Sequence, residues 1–203
     1  MNLKQEQAEK TRQDLLNAAL IVFSKKGYSA TRLEDIALQA GVTRGAFYWH
    51  FKNKSDVFLE LHSKIIHDFI DIMKNEIKEK QTPLENLKNI LYKTMTKLLN
   101  NEKSRQYGKL FYMIENSPDL ANGMNILRKK IEHTVFSLFS DLINKGKESD
   151  EIRVDLPTRQ IYRSAIVTLK GSIVQIFDNI ATFTAGDAES TVNIFIDGIK
   201  KQQ

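Results

Sequence analysis

The sequence predicts an all-α protein of nine helices, with three short helices in an N-terminal head and six longer helices in a bundle behind it. Apolar residues recur every three or four positions along most of the chain, the spacing that places them on one face of a helix. The 203 residues include only 3 Pro and 9 Gly, and several of these fall where one apolar stripe stops and the next begins. No segment shows the alternation typical of a strand, and no internal repeat is present.

The first two helices of the head follow from their end signals. A helix is predicted over residues 8–26, and Gly27 is placed to end it because glycine adopts the left-handed conformation at little cost. Thr31 and Glu34 match a capping box, a threonine followed three positions later by a glutamate, so the second helix is expected to open there.

The second and third helices have the spacing of a helix-turn-helix. Ala37 is small enough for two helices to cross closely, and Gly41 permits the turn between them. Thr43 can cap the third helix, whose inward residue is Phe47. Such a pair of helices buries little core of its own, and its common use is to place the second helix in the major groove of DNA.

The bundle begins almost without a linker. Ser55 or Asn53 can cap the helix that follows the head, and no flexible linker separates the two helices. We therefore predict a domain boundary between residues 1–53 and 54–203. The six helices of the second domain are expected at about 54–79, 83–100, 103–115, 119–145, 158–181 and 188–200.

Composition limits the setting in which the protein works. The formal net charge is +5 and the pI is about 9.2, which permits a polyanionic partner. There is no Cys, and the N-terminal residues are too polar for a secretory signal. The apolar runs are shorter than the roughly 18–20 residues that a membrane span needs. We expect a cytoplasmic protein with no membrane partner.

The outer face of the third helix carries groups suited to DNA. Arg44 can form a bidentate pair with guanine, and Gly45 lets the backbone approach the duplex. Tyr48, Thr43 and His50 can donate hydrogen bonds to phosphate oxygens. Each has a simpler explanation as well, because threonines often only cap helices, and Tyr48 and the neighbouring Trp49 fit a core equally well.

Lys54 stands at the start of the fourth helix, where free backbone N–H groups already favour an anion. Taken alone it would be an ordinary solvated surface charge. It is the combination with the third helix that makes a phosphate contact a reasonable expectation.

These residues resemble a known family. Residues 11–69, including the segment TRLEDIALQAGVTRGAFYWHFKNKSD, are similar to the DNA-binding domain of TetR-type transcriptional repressors, especially those that control multidrug efflux pumps. Gly41-Val42, the run from Tyr48 to Phe51 and Lys54 are the most telling elements. The resemblance implies that Arg44, Gly45 and Tyr48 approach DNA and that Lys54 contacts phosphate. The full predicted DNA-binding set is Thr31, Thr43, Arg44, Gly45, Ala46, Tyr48, Trp49, His50 and Lys54.

The resemblance also implies that the second domain binds a small-molecule effector and that its last two helices form a dimer interface. Apolar stripes on these two helices agree with this, although they fit a core within one chain too. The predicted interface residues are Ile166, Leu169, Ile173, Ile176, Val192, Phe195, Ile196 and Ile199.

Aromatic residues of the bundle are candidates for lining an effector pocket, although tight packing would explain each of them as well. The predicted pocket residues are Phe69, Tyr92, Tyr107, Phe111, Tyr112, Glu115, Phe136 and Phe177, with Phe139, His133 and Asp178 as further candidates. His62 and His67 have poor helical spacing for a shared metal, so we predict neither a metal nor a cofactor.

Together these features predict a ligand-responsive, sequence-specific DNA-binding regulator. The leading interpretation is a homodimeric repressor of a pseudo-palindromic operator, released by an apolar or amphipathic ligand, with a multidrug efflux pump as the regulated target. One alternative is a DNA-binding protein controlled by a partner protein. Another is an all-α enzyme, which is disfavoured because the sequence has no nucleophile–base pair, glycine-rich phosphate loop or metal-ligand cluster.

Overall fold

The computed structural model describes residues 3–102, 104–106, 108, 110, 120–178 and 183–202. Within these residues the fold is all-α, as predicted, with one isolated β-bridge between Ile152 and Lys200. Residues 102, 104–106, 108 and 110 are helical and are called α6. The other helices are α1 (Leu3–Lys26), α2 (Leu33–Gln39), α3 (Arg44–His50), α4 (Lys54–Asn75), α5 (Pro83–Asn100), α7 (Ala121–Glu148), α8 (Thr158–Asp178) and α9 (Ala185–Ile199).

Several helix ends differ from the sequence prediction. The first helix starts earlier, at Leu3, and the fourth stops earlier, at Asn75. The amide of Asn86 explains the second difference, because it binds the backbone of Lys78 through both N–H (2.9 Å) and carbonyl (3.2 Å) and so fixes a turn after α4. The last helix begins at Ala185, capped by the Thr184 hydroxyl.

The seventh helix corrects the role assigned to Gly146. We expected this glycine to end the helix, but α7 continues to Glu148. A Cβ atom at this position would lie 2.6 Å from Cδ1 of Ile152, whose side chain is fully buried. The glycine is therefore explained by the close packing of Ile152 against the helix, not by a left-handed turn.

The chain divides into two compact units. One comprises residues 1–65 and 109–127, and the other residues 66–108 and 128–203. The first unit thus includes the helix-turn-helix and the start of α4, while the domain boundary that the sequence suggests after residue 53 stays a prediction. Both α4 and α7 contribute residues to each unit.

The core of the first unit is built on α1. Phe23, Tyr28 and Phe58 form an aromatic cluster with ring centroids 5.1–5.8 Å apart, two of the three pairs being edge-on. Around it are buried apolar side chains from α1, α2, α3 and the start of α4, namely Leu15, Leu16, Ala19, Leu20, Ile36, Ala37, Phe47, Val57 and Leu61. This core fixes the position of the two short helices, which at seven residues each would not be stable alone.

The core of the second unit joins α4, α5, α7, α8 and α9. Helix α5 contacts both α8 and α9, and these two helices also contact each other. The fully buried side chains include Leu87, Ile90, Leu91, Met95, Phe139, Ile143 and Val192. In the part of the chain described, no helix is long and apolar enough to cross a membrane.

Candidate nucleic-acid interface

Helix α3 is held by one buried side chain and leaves its other faces open. Phe47 is fully buried and its ring lies 5.9 Å from that of Phe51, which follows the helix. Because Phe47 faces inward, the residues around it face solvent. The exposed residues of this helix and its cap are Thr43, Arg44, Gly45, Tyr48 and Trp49, while Ala46 and His50 are half-buried.

The turn between α2 and α3 has the geometry that the sequence predicts. Gly41 has a φ of +68°, in the left-handed region where glycine is favoured. The N–H of Val42 donates to the carbonyl of Ala37 at 3.0 Å, which brings the chain back beside α2. The Thr43 hydroxyl oxygen accepts a hydrogen bond from the N–H of Ala46 at 3.2 Å, so Thr43 is the expected N-cap.

Arg44 lies on the exposed face between two partners. Its Nη1 atom is 3.2 Å from Oε1 of Glu34 on α2, and its Nη2 atom is 3.4 Å from the hydroxyl of Tyr48. The guanidinium carbon is 5.5 Å from the centre of the Tyr48 ring, within range of a cation–π contact. The hydrogen bond to Tyr48, and then the charge of Glu34, raise the pKa of Arg44 above its ordinary value.

Trp49 lies in an open groove between α1 and α3. Its side chain is 73% exposed and its ring is edge-on to that of His50, with centroids 4.6 Å apart. The groove has a volume of about 450 Å³ and is lined by Leu3, Lys4, Gln7, Ala8, Thr11, Ala46, Trp49 and His50. The sequence left open whether Trp49 belongs to a core. In this unit it does not, because its side chain is mostly exposed.

His50 is placed where a charge is disfavoured. Partial burial, followed by the nearby positive charge of Arg12, lowers the pKa of His50 below its ordinary value. The neutral imidazole is thus favoured near pH 7. A neutral His50 could still donate a hydrogen bond to a phosphate oxygen, but it would add no positive charge to this surface.

Thr31 is not on the exposed surface. Its side chain is only 3% exposed, and its hydroxyl donates to the carbonyl of Gly27 at 2.7 Å. The turn after α1 already uses this hydroxyl as a donor, and the predicted contact of Thr31 with DNA stays a prediction. The expected capping box is corrected, because α2 begins one residue later, with the N–H of Arg32 donating to the carboxylate of Asp35 at 3.0 Å.

Lys54 has a structural role within the head. Its ammonium group donates to the carbonyls of Tyr28, Ser29 and Thr31, at 2.8, 3.2 and 3.1 Å, and lies 4.5 Å from the centre of the Tyr28 ring. These three bonds use all the protons of the ammonium. The ammonium is thus used within the head, and the phosphate contact predicted for Lys54 stays a prediction.

Arg12 is a residue of this site that the sequence reading missed. Its guanidinium pairs with the carboxylate of Glu60 on α4, with Nε 2.7 Å from Oε1, and its Nη1 atom donates to the carbonyl of His50 at 3.0 Å. The bond to Glu60 raises the pKa of Arg12. The guanidinium carbon of Arg12 also lies 4.5 Å from the ring centre of Phe51. An arginine in a polar helical face gives no sequence signal for such a contact, because its partners are 38 and 48 positions away.

The predicted pocket residues are only partly within the described chain. Phe69, Tyr92, Phe136 and Phe177 are half-buried, and Phe136 is 5.0 Å from the ring centre of Tyr162. The Phe177 ring lies against α6, where a Cβ atom at Gly108 would be 2.1 Å from it. The remaining predicted residues, Tyr107, Phe111, Tyr112 and Glu115, lie outside the described residues. No group of three or more potential metal ligands occurs in the described ranges.

The predicted dimer stripe is used largely inside one chain. Leu169, Val192, Ile196 and Ile199 are buried in the core of the second unit, and Ile166, Ile173 and Phe195 pack against it. Ile176 is half-buried. Side chains already covered within the chain offer little surface to a partner, whereas Ile166, Ile173, Ile176 and Phe195 are only half-buried, so the predicted interface stays a prediction. Other residues of α8 and α9 are exposed instead, among them Val167 and Ile194.

The fold and the exposed face of α3 define a helix-turn-helix DNA-binding protein. Comparison with known proteins agrees. Residues 15–61 match the family described as bacterial regulatory proteins, tetR family. The HTH-type transcriptional regulator AcrR of Shigella flexneri is 30% identical over 175 residues, which are 86% of this chain and 80% of that protein. The chain belongs to the tetR family.

Solved structures share the fold over nearly the whole chain. NalD, the secondary repressor of the MexAB-OprM multidrug efflux pump in Pseudomonas aeruginosa, superimposes with a TM-score of 0.79 and 25% identity, covering 98% of this chain and 100% of NalD. FadR from Bacillus subtilis, in complex with stearoyl-CoA, gives a TM-score of 0.76 at 24% identity, over 92% and 98% of the two chains. The protein is thus a DNA-binding transcription regulator, and membership of this family confirms that it is not an enzyme.

Replacing Lys54 tests its structural role. We expect Lys54→Met to lower the free energy of unfolding by about 2 kcal/mol, because three carbonyls lose a charged donor. Chemical unfolding followed by circular dichroism measures the change. Lys52→Met is the control, since Lys52 is exposed and its loss should change stability by less than about 0.5 kcal/mol. Equal stability of the two variants would show that the bonds of Lys54 contribute nothing.

Proposed function

We propose that α3 is the recognition helix, placed in the major groove of an operator, and that the protein acts as a repressor. The observation that carries this is the exposed face of α3, where Arg44, Gly45 and Tyr48 stand together on a helix anchored by Phe47. Arg44 is suited to read a base edge, whereas Tyr48 and Thr43 are suited to hold phosphate oxygens. The relatives described as regulators and repressors support the assignment.

Substitutions on α3 test this assignment. The probe is a duplex selected from a random-sequence library by the wild-type protein, compared with a scrambled duplex of the same composition. We expect Arg44→Ala to weaken binding to the selected duplex roughly ten- to a hundredfold, because a bidentate base contact contributes about 1–3 kcal/mol. Tyr48→Phe should weaken both duplexes by a few fold, since a phosphate contact carries little sequence information. Fluorescence anisotropy at fixed salt measures both.

Arg105→Ala is the matched control. Arg105 is also an exposed arginine paired with a glutamate, Glu102, at 2.8 Å, but it lies on α6. Its loss should leave DNA binding unchanged. A selection that yields no preferred duplex, or an Arg44→Ala variant that binds like the wild type, would contradict the proposal.

We also propose a homodimer formed through the exposed faces of α8 and α9. On α8, Val167 is 70% exposed and Gly171 follows one turn later, and on α9 Ile194 is 74% exposed with Gly198 one turn later. A Cβ atom at either glycine would meet nothing within 4 Å, so the backbone there is open to close approach. Two copies bound back to back would present two recognition helices to a pseudo-palindromic operator.

A charge placed on this face should separate the subunits. We expect Ile194→Asp to be a monomer near the chain mass of 23.4 kDa, and the wild type to have about twice that mass, by light scattering after gel filtration. Val154→Asp is the control, because Val154 is equally exposed but lies in the loop between α7 and α8. A monomeric wild type, or a dimeric Ile194→Asp protein, would contradict this interface.

The proposed effector is an apolar or amphipathic small molecule that binds the second unit. Half-buried aromatic residues on α4, α5 and α8, namely Phe69, Tyr92 and Phe177, support this class of ligand. The stearoyl-CoA in the FadR structure and the efflux-pump target of NalD support it from relatives. By the same likeness, we propose a multidrug efflux pump as the regulated target.

Arg12 offers a physical route from the effector to DNA. Glu60 and Phe69 lie on the same helix, α4, and Arg12 connects Glu60 to the last carbonyl of α3. A displacement of α4 would therefore be transmitted to the recognition helix through a charged contact. The ligand must bind one arrangement of α4 better than the other to shift the equilibrium.

Glu60→Gln tests this route. With stearoyl-CoA and tetraphenylphosphonium as probes, we expect at least one to weaken binding of the wild type to the selected duplex. In Glu60→Gln the same probe should bind equally well but weaken DNA binding less, because a neutral amide holds Arg12 less firmly. Calorimetry measures ligand affinity and anisotropy measures DNA affinity. Glu148→Gln, an exposed residue at the end of α7, is the control. No effect of either probe on the wild type would contradict the proposed ligand class.

A further inference from the structure

Glu34 is a carboxylate on the exposed face of the helix-turn-helix, next to the arginine proposed to read DNA. Its side chain is 52% exposed and its Oε1 atom is 3.2 Å from Nη1 of Arg44. A negative charge at a DNA-binding face opposes the phosphates, so its presence there calls for a physical explanation. The first turn of α2 favours an acidic residue by its dipole, but the carboxylate that caps this helix belongs to Asp35, so capping does not explain why Glu34 contacts Arg44.

The contacts of Arg44 suggest what Glu34 does. A guanidinium has five N–H donors in a rigid plane, so one edge can be held by the protein while other donors face a base. Glu34 approaches one terminal nitrogen, and the Tyr48 hydroxyl lies 3.4 Å from the other. The two partners come from different helices, α2 and α3, and they limit where an otherwise flexible side chain can point.

A pure competitor for Arg44 would behave differently. If Glu34 only bound Arg44 in the free protein and released it on DNA, its removal would strengthen binding to every duplex and would not reduce sequence preference. If Glu34 stays bound to Arg44 in the complex, its removal lets the arginine move to phosphates. Binding to unrelated DNA would then be maintained or strengthened, while the preference for one base pair would fall.

We propose that Glu34 is a positioning residue for base recognition, which holds the guanidinium of Arg44 in the orientation that reads the operator. Glu34 does not itself touch the base. It keeps Arg44 from exchanging a base contact for a phosphate contact, and it lowers the entropy lost when Arg44 binds. This inference rests on the proposed role of Arg44 in the groove.

The test measures preference at single base pairs. The probes are the selected duplex and a set in which each base pair is replaced in turn, with wild type, Glu34→Gln, Arg44→Ala and the double variant. Arg44→Ala identifies the base pair that Arg44 reads, as the position where preference disappears. We expect Glu34→Gln to reduce the preference at that position about two- to fivefold, within the range that exposed ion pairs give. Preferences at the other positions should not change.

The double variant separates the possible causes. When Arg44 is absent, Glu34→Gln should have no further effect on base preference, because Glu34 acts through Arg44. Asp14→Asn is the charge control, an exposed acidic residue on α1 whose neutralisation makes the same change in net charge. It should shift binding to all duplexes alike.

Two results would overturn the inference. One is a Glu34→Gln protein that binds every duplex more tightly by a single factor, as Asp14→Asn does. The other is a loss of base preference that persists without Arg44. If Arg44→Ala itself changes no preference, the proposed role of Arg44 fails first, and the role of Glu34 fails with it. Thermal unfolding is expected to be unchanged in all variants, since both side chains are largely exposed.

Discussion

The contact that the head depends on is the guanidinium of Arg12, which holds together three helices. It pairs with Glu60 on α4, donates to the last carbonyl of α3 and lies over the ring of Phe51. The carbonyl of His50 would otherwise be one of the unsatisfied groups at the end of a short helix. A single charged group therefore binds the C-terminal end of α3 and connects it to α4. The same partly buried guanidinium satisfies the carbonyl of His50 and pairs with the carboxylate of Glu60.

This arrangement suits the small size of the two helices involved. Seven residues make about two turns, which is too short for a helix to be stable without tertiary packing. Phe47 supplies the packing from inside, the Thr43 hydroxyl supplies the N-cap, and Arg12 binds the C-terminal end. Apart from Thr43, the exposed residues Arg44, Gly45, Tyr48 and Trp49 do not form the core that holds this helix, so they are available for binding.

Much of this architecture could be predicted from local signals. Gly27 and Gly41 marked turns with positive φ, Thr43 marked a cap, and helical spacing marked Phe47 as buried. These features depend on residues a few positions apart. The functional class followed as well, since the head pattern is specific enough to indicate the family that the comparisons then showed.

The sequence pattern was less informative where a residue has competing local contacts, or where distant residues decide what covers a side chain. Thr31 and Glu34 matched a capping box, but the turn after α1 buries Thr31 and moves the start of α2 by one residue. The stripe on α9 that we predict as a dimer interface is partly covered by α5 and α8 within the chain, and its role toward a second copy stays a prediction. Periodicity identifies the apolar face of a helix but not what covers it. The contacts of Arg12 and Lys54 were invisible for the same reason.

The way Lys54 holds its loop bears on how freely the surrounding sequence can vary. Its partners are backbone carbonyls of Tyr28, Ser29 and Thr31, and every residue type has a carbonyl. An exchange at the exposed Ser29 therefore keeps the hydrogen bond intact, whichever side chain replaces it. Lys54 fixes the backbone path at residue 29 without requiring a particular side chain there. Position 29 can therefore change without altering where α2 begins, whereas Tyr28 and Thr31 are also held by their side chains, in the aromatic cluster and by the bond to Gly27.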